Sequence, residues 1–209
     1  MQFWTKEEYL KFADEMMEKP REFLMFEILY WTGIREGEML ALMPSAFDLS
    51  RGTMRIDKSY QRFDGRDVIT DPKTPKSIRT IKLSKFLVEE IADYLKRHPE
   101  ICPNDRMFPV AKYQISRAMK SGCQKSGVKK IRAHDLRHSH VSLLIDKGFA
   151  ALAITERMGH ETTDIRSATP ICSPRCRRTW QTRSMTREED SKCSAPTTAG
   201  SGPSPRRSA

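Results

Sequence analysis

The chain has 209 residues, 38% of them apolar, which suits one ordinary domain with a real core and excludes a string of large ones. Lys and Arg number 37 against 27 Asp and Glu, and the net charge of +10 favours a polyanionic partner, nucleic acid above all. No apolar stretch approaches the roughly 18 to 20 residues that cross a bilayer, and no basic segment precedes an apolar signal core, so a cytoplasmic protein without a membrane partner is expected. Five cysteines, an odd number without framework spacing, agree with a reducing compartment.

Thr5 and Glu8 stand in capping-box spacing ahead of Tyr9, Leu10, Phe12, Met16 and Met17, which predicts an amphipathic helix ending before Pro20. A second helix carries Phe23, Leu24, Phe26, Ile28, Leu29 and Trp31 up to Gly33, and a short third runs from Glu36 to Leu42 and stops near Pro44. The period then changes. "FDLSRGTMRI", "SYQRFDGRDVIT" and "SIRTIKL" alternate and are rich in β-branched residues, with an Asp64-Gly65 turn, so a small three-stranded antiparallel sheet is expected. Helical patterning returns over Lys85 to Arg97, Gln114 to Lys125, His134 to Lys147 and Ala151 to Met158. The fold class is therefore α+β, mostly helical with one inserted three-stranded antiparallel sheet.

The chemistry changes at Ile165. Residues 165–209 contain no Leu, Val, Phe or Tyr, and abound in Ser, Thr, Pro and Arg. Such a segment cannot bury enough apolar surface to offset its ordering entropy, so a disordered basic tail over 165–209 is expected beyond a domain at 1–164. Nine Lys or Arg against Glu188, Glu189 and Asp190 give the tail +6 and leave only +4 for the remainder. DNA binding by the first part must rest on where its charges lie.

Four fragments carry candidate chemistry. "TGIREGEMLAL" sets Arg35 and Glu38 at i, i+3 beyond a glycine turn, where a surface ion pair is the plainer reading. "DPKTPKSIRTIKL" puts Lys73 at a turn entering a strand, otherwise a solvated hairpin tip. "HDLRHSHVSLL" puts His134 and Arg137 on one helical face, and "ERMGH" puts His160 just past a helix end at Gly159. Zinc is a rival for the histidines, with His134 and His138 at i, i+4 and His140 following. The glutamate of HExxH is absent and no cysteine pair is near, so no metal is expected.

In this order, TGxRxxE, KTxxSxRxIxL, HDLRHxHxSLL and ERxGH resemble the catalytic domain of the tyrosine recombinases, the phage integrase family, from about Phe3 to Thr163. The resemblance implies double-stranded DNA as partner and a site-specific strand transfer through a 3′-phosphotyrosyl intermediate. Arg35 and Arg137 would bind the phosphate whose oxygens gain charge as it is attacked, as guanidinium forks can. Lys73 would protonate the leaving 5′ oxygen, His134 would manage the nucleophile's proton, and His160 would hydrogen-bond the phosphate. Glu38 would orient its neighbours, and Arg79 joins Arg35, Lys73 and Arg137 as a DNA-binding residue. No cofactor is implied, because the covalent intermediate keeps the energy of the broken bond.

Two departures from the family pattern follow. The nucleophilic tyrosine belongs nine residues after His160, where Thr169 stands before Pro170, and all five tyrosines precede the HDLR motif. Cleavage by this chain is therefore not expected. A reading-frame shift in the coding DNA would produce such an abrupt switch; a natural regulatory tail is the other reading. The resemblance also sets the start of this sequence at the catalytic domain, so the core-binding domain that family members place before it is expected to be absent. Members assemble as tetramers on DNA, whereas a monomer is expected for this chain in isolation. The rival readings are a catalytically dead DNA-binding remnant and a decayed gene product without activity.

Overall fold

The structure, a computed structural model, describes residues 2–71 and 77–159. Lys73, His160, Thr169 and the expected disordered tail at 165–209 lie outside these residues. Helix α1 (Lys6–Met16) starts as its capping box requires: the Thr5 hydroxyl accepts from the Glu8 amide at 3.3 Å and the Glu8 carboxylate accepts from the Thr5 amide at 2.8 Å. Tyr9, Phe12, Ala13 and Met16 form its buried stripe.

Helix α2 (Pro20–Thr32) has Pro20 in its first turn and is buried all round from Leu24 to Thr32, which makes it the central helix. It packs against α1, α3 (Glu36–Leu40), α4 (Lys85–Arg97) and α6 (Asp135–Asp146). Even Glu27 is fully buried on it, accepting the Tyr9 hydroxyl proton at 2.8 Å. Helix α5 (Lys112–Ser126) lies against α1, and its Gly122 allows the approach: a Cβ there would meet the Phe12 ring at 2.4 Å. The short α7 (Ala151–Met158) packs Ile154 and Met158 on Leu144 of α6.

Between α3 and α4 the described residues form five strands. β1 (Phe47–Asp48), β2 (Thr53–Ile56) and β5 (Arg79–Lys82) make the antiparallel three-stranded sheet in the order β1-β2-β5, with Met54 and Ile81 paired and buried. β3 (Ser59–Phe63) and β4 (Arg66–Thr70) form a separate two-stranded ribbon. Asp64 and Gly65, at φ 46° and 78°, turn it, as a tight hairpin between right-twisted strands demands. The sequence pattern suggests one sheet from these three segments. The ribbon stands apart because β5 returns to β2, whose other edge β1 already occupies, leaving β3 to pack on α3. Tyr60 anchors it, with the Arg106 guanidinium 4.0 Å over its ring.

Candidate active site

The site is organised around Glu38, on a helix that begins directly after the Gly33 turn. Its carboxylate accepts the Arg35 amide at 2.8 Å and the Arg35 guanidinium at 2.9 Å. From β5, Arg79 donates two nitrogens to the two carboxylate oxygens at 3.0 and 2.8 Å, a two-pronged fork. Burial pushes the Glu38 carboxyl up, but the Arg79 hydrogen bonds and charge, helped by Arg35, outweigh it and leave it below its ordinary value. Arg79 also donates to the carbonyls of Ser77 and Arg157, each at 3.1 Å.

Arg137 rises from α6 behind this pair, 5% exposed. It donates to the Gly33 carbonyl and to the Met158 carbonyl, each at 2.7 Å. One side chain thus ties the start of the Arg35 turn to the end of α7. Burial, then the Arg35 charge, lowers its pKa to about 10 against the pull of Glu38, and it remains a cation at neutral pH.

His134 sits at the exposed N-terminal end of α6, one turn before Arg137, with its ring 5.4 Å from that of His138 and nearly perpendicular to it. Partial burial, then the neighbouring His138 and Arg137, hold its pKa below the usual imidazole value, so the ring is neutral at pH 7. The loop before it is fixed by Asp135, whose carboxylate accepts the Arg132 amide at 3.0 Å and the Arg132 guanidinium at 3.1 and 3.0 Å.

Of the residues singled out in sequence, Arg35, Glu38, Arg79 and Arg137 are brought together from three separate elements. Only the Arg35 side chain among the three arginines is open to solvent, at 41%, while that of Arg79 is 8% exposed and committed to Glu38. Sequence reasoning assigned no role to a second pair beside them, the buried His140 and the half-buried Arg157. Arg157 of α7 donates its Nε to Nε2 of His140 on α6 at 3.2 Å, and its other nitrogens reach the Trp31 carbonyl at 3.3 Å and the Lys82 carbonyl at 3.4 Å. The available signal was a histidine at a core position of α6, among Leu136, Leu143 and Leu144.

A helical domain with a small antiparallel insert and arginines gathered on one carboxylate defines a recombinase-type catalytic fold. The chain belongs to the phage integrase family, whose model matches residues 2–167. The ICEBs1 integrase of Bacillus subtilis (strain 168) is 35% identical over 177 residues, covering 77% of this chain and 47% of the relative. The integrase of Staphylococcus phage L54a is 29% identical over 167 residues, covering 69% of this chain and 46% of the relative. The chain thus spans about half the length of these curated relatives. Among solved structures, XerA recombinase matches with a TM-score of 0.64 at 20% identity, covering 78% of this chain and 55% of that one. Tn1549 transposon integrase in complex with circular intermediate DNA matches at 0.68 and 18% identity, covering 77% and 59%. Both structural likenesses speak to the fold.

Proposed function

We propose that this chain is the DNA-phosphate-engaging part of a site-specific recombinase, acting on duplex DNA in the cytoplasm. The observation that carries this reading is the excess of cations at one buried carboxylate: Arg35, Arg79 and Arg137 converge on Glu38 and its immediate surroundings. A site holding more guanidinium charge than it neutralises is a site for an anion, and a backbone phosphate supplies one. Arg35 makes the direct contact. Arg137 lends its charge from behind with the donors its two carbonyls leave over, and Arg79 adds to the field while holding Glu38.

In the full reaction, a nucleophile's oxygen attacks the phosphorus, the 5′ oxygen departs with a proton from Lys73, and His134, neutral at pH 7, accepts the proton of the nucleophile. His160 then steadies the phosphate. Because Thr169 stands where the tyrosine belongs, we read this chain as binding the phosphodiester without forming the covalent intermediate. An aliphatic hydroxyl is far less acidic than a phenol. The experiment is incubation with a nicked suicide DNA substrate, alongside binding titrations at several salt concentrations. No adduct stable to denaturation is expected, and recovery of one overturns the claim of inactivity. Arg35→Ala should weaken binding and reduce the log–log salt slope by roughly 0.9, the value of one duplex phosphate contact. An unchanged slope removes Arg35 from the phosphate.

A further inference from the structure

We infer that His140 and Arg157 form a latch that sets the position of the C-terminal end of α7 against the Glu38–Arg79 pair, making both positioning residues for the arginine site. This rests on the reading of that site as phosphate-engaging. Arginine has five donors and no acceptor, so a bond from Arg157 Nε to His140 Nε2 fixes that nitrogen as the unprotonated one and puts the ring proton on Nδ1. His140 is fully buried, and burial followed by the Arg157 charge holds its pKa well below the ordinary value, so the acceptor form persists.

The rest of the Arg157 fork bridges elements distant in sequence: the Trp31 carbonyl at the end of α2 and the Lys82 carbonyl at the end of β5. Its own backbone carbonyl accepts from Arg79, whose fork holds Glu38. A connected path therefore runs from His140 through Arg157, Arg79 and Glu38 to the exposed Arg35. The neighbouring packing leaves it no slack, since a Cβ on Gly33 would come within 2.6 Å of the His140 ring and 2.7 Å of the Met158 methyl. Arg137 grips the next carbonyl along, that of Met158. The end of α7 is thus held by three guanidiniums, those of Arg137, Arg79 and Arg157, of which Arg157 alone carries no role in the family reading. A shift at Arg157 would move the acceptor on which Arg79 is aligned.

The test compares His140→Phe, which keeps a ring but removes the acceptor, with His140→Gln, whose amide oxygen restores an acceptor at similar reach. Hydrogen exchange is measured on the full chain without DNA, and affinity for a duplex is measured in parallel. His140→Phe should speed exchange of the α7 amides by about tenfold or more while leaving α1 and α5 protected, and should weaken the Arg35-sensitive part of DNA binding. His140→Gln should recover most of both. If His140→Phe does not fold, Arg157→Lys serves instead, because one ammonium cannot serve three acceptors in a plane and should give the same local loosening. Unchanged α7 exchange, or equal loosening of α1 and α7 in both His140 variants, would overturn the latch. Local loosening of α7 in a chain whose DNA binding ignores Arg35→Ala would instead leave the latch standing and remove the proposed function.

Discussion

Replacing Gly33 with alanine should be among the most damaging single-methyl additions to this chain, for two separable reasons. Gly33 ends α2 at φ 66°, a left-handed conformation in which a Cβ costs about 1–2 kcal/mol. The added Cβ would also lie 2.6 Å from the His140 Cδ2 and 2.7 Å from the Met158 Cε. His140 cannot yield without losing Arg157, so overpacking adds roughly 1–3 kcal/mol. Gly127, which ends α5 at φ 70° with nothing within 4 Å of its would-be Cβ, supplies the control, since Gly127→Ala should cost only the conformational part. Urea unfolding of both variants gives the difference directly. Gly33→Ala should fall about 2–5 kcal/mol below wild type and clearly below Gly127→Ala, and adding Met158→Ala should relieve part of the excess. Equal losses at the two glycines would refute the close packing of the turn on the latch.

Glu38→Gln should cost about 3–5 kcal/mol in urea unfolding, because it leaves the buried Arg79 fork without its counter-charge; a loss below about 1 kcal/mol would show the pair to be dispensable. The pH dependence of stability carries two signatures. His140 has a folded pKa below its ordinary 6.5, so its contribution is complete above about pH 6.5 and falls as the unfolded chain takes up a proton at lower pH, by up to ~1.4 kcal/mol per pH unit. Denaturation series between pH 7 and 5.5 on wild type and His140→Gln should show the steeper fall in wild type, and parallel curves would count against a buried neutral ring. Glu38, also depressed, contributes fully above its ordinary 4.5, and this stability is lost as pH falls further. Glu38→Gln should flatten the acid limb there, and an unchanged limb would argue against its ionisation in the fold.

Much of the architecture was legible because its signals are local. The Thr5–Glu8 box, the positive-φ glycine at 33, the Asp64-Gly65 turn and the stripe of Leu87, Ile91 and Tyr94 each act within a few residues, so helix starts, stops and faces follow from the chain itself. The order of the four motifs likewise carried the family. What sequence could not decide is which distant groups meet. Whether β5 pairs with β2 or with the ribbon depends on the competition of strand edges in space. Arg79 looks like any strand arginine until Glu38, 41 positions earlier, takes up both its prongs and withdraws it from the surface. Arg137 reads only as a basic residue on one helical face with His134; that the Gly33 carbonyl, 104 positions away, claims one of its nitrogens appears only in the fold. Arg157 likewise shows its partners only when α2, β5 and α6 converge on α7. Guanidiniums are long, charged and able to serve several acceptors at once, so their partners are chosen by the packing of the elements around them, and only the tertiary structure states that packing.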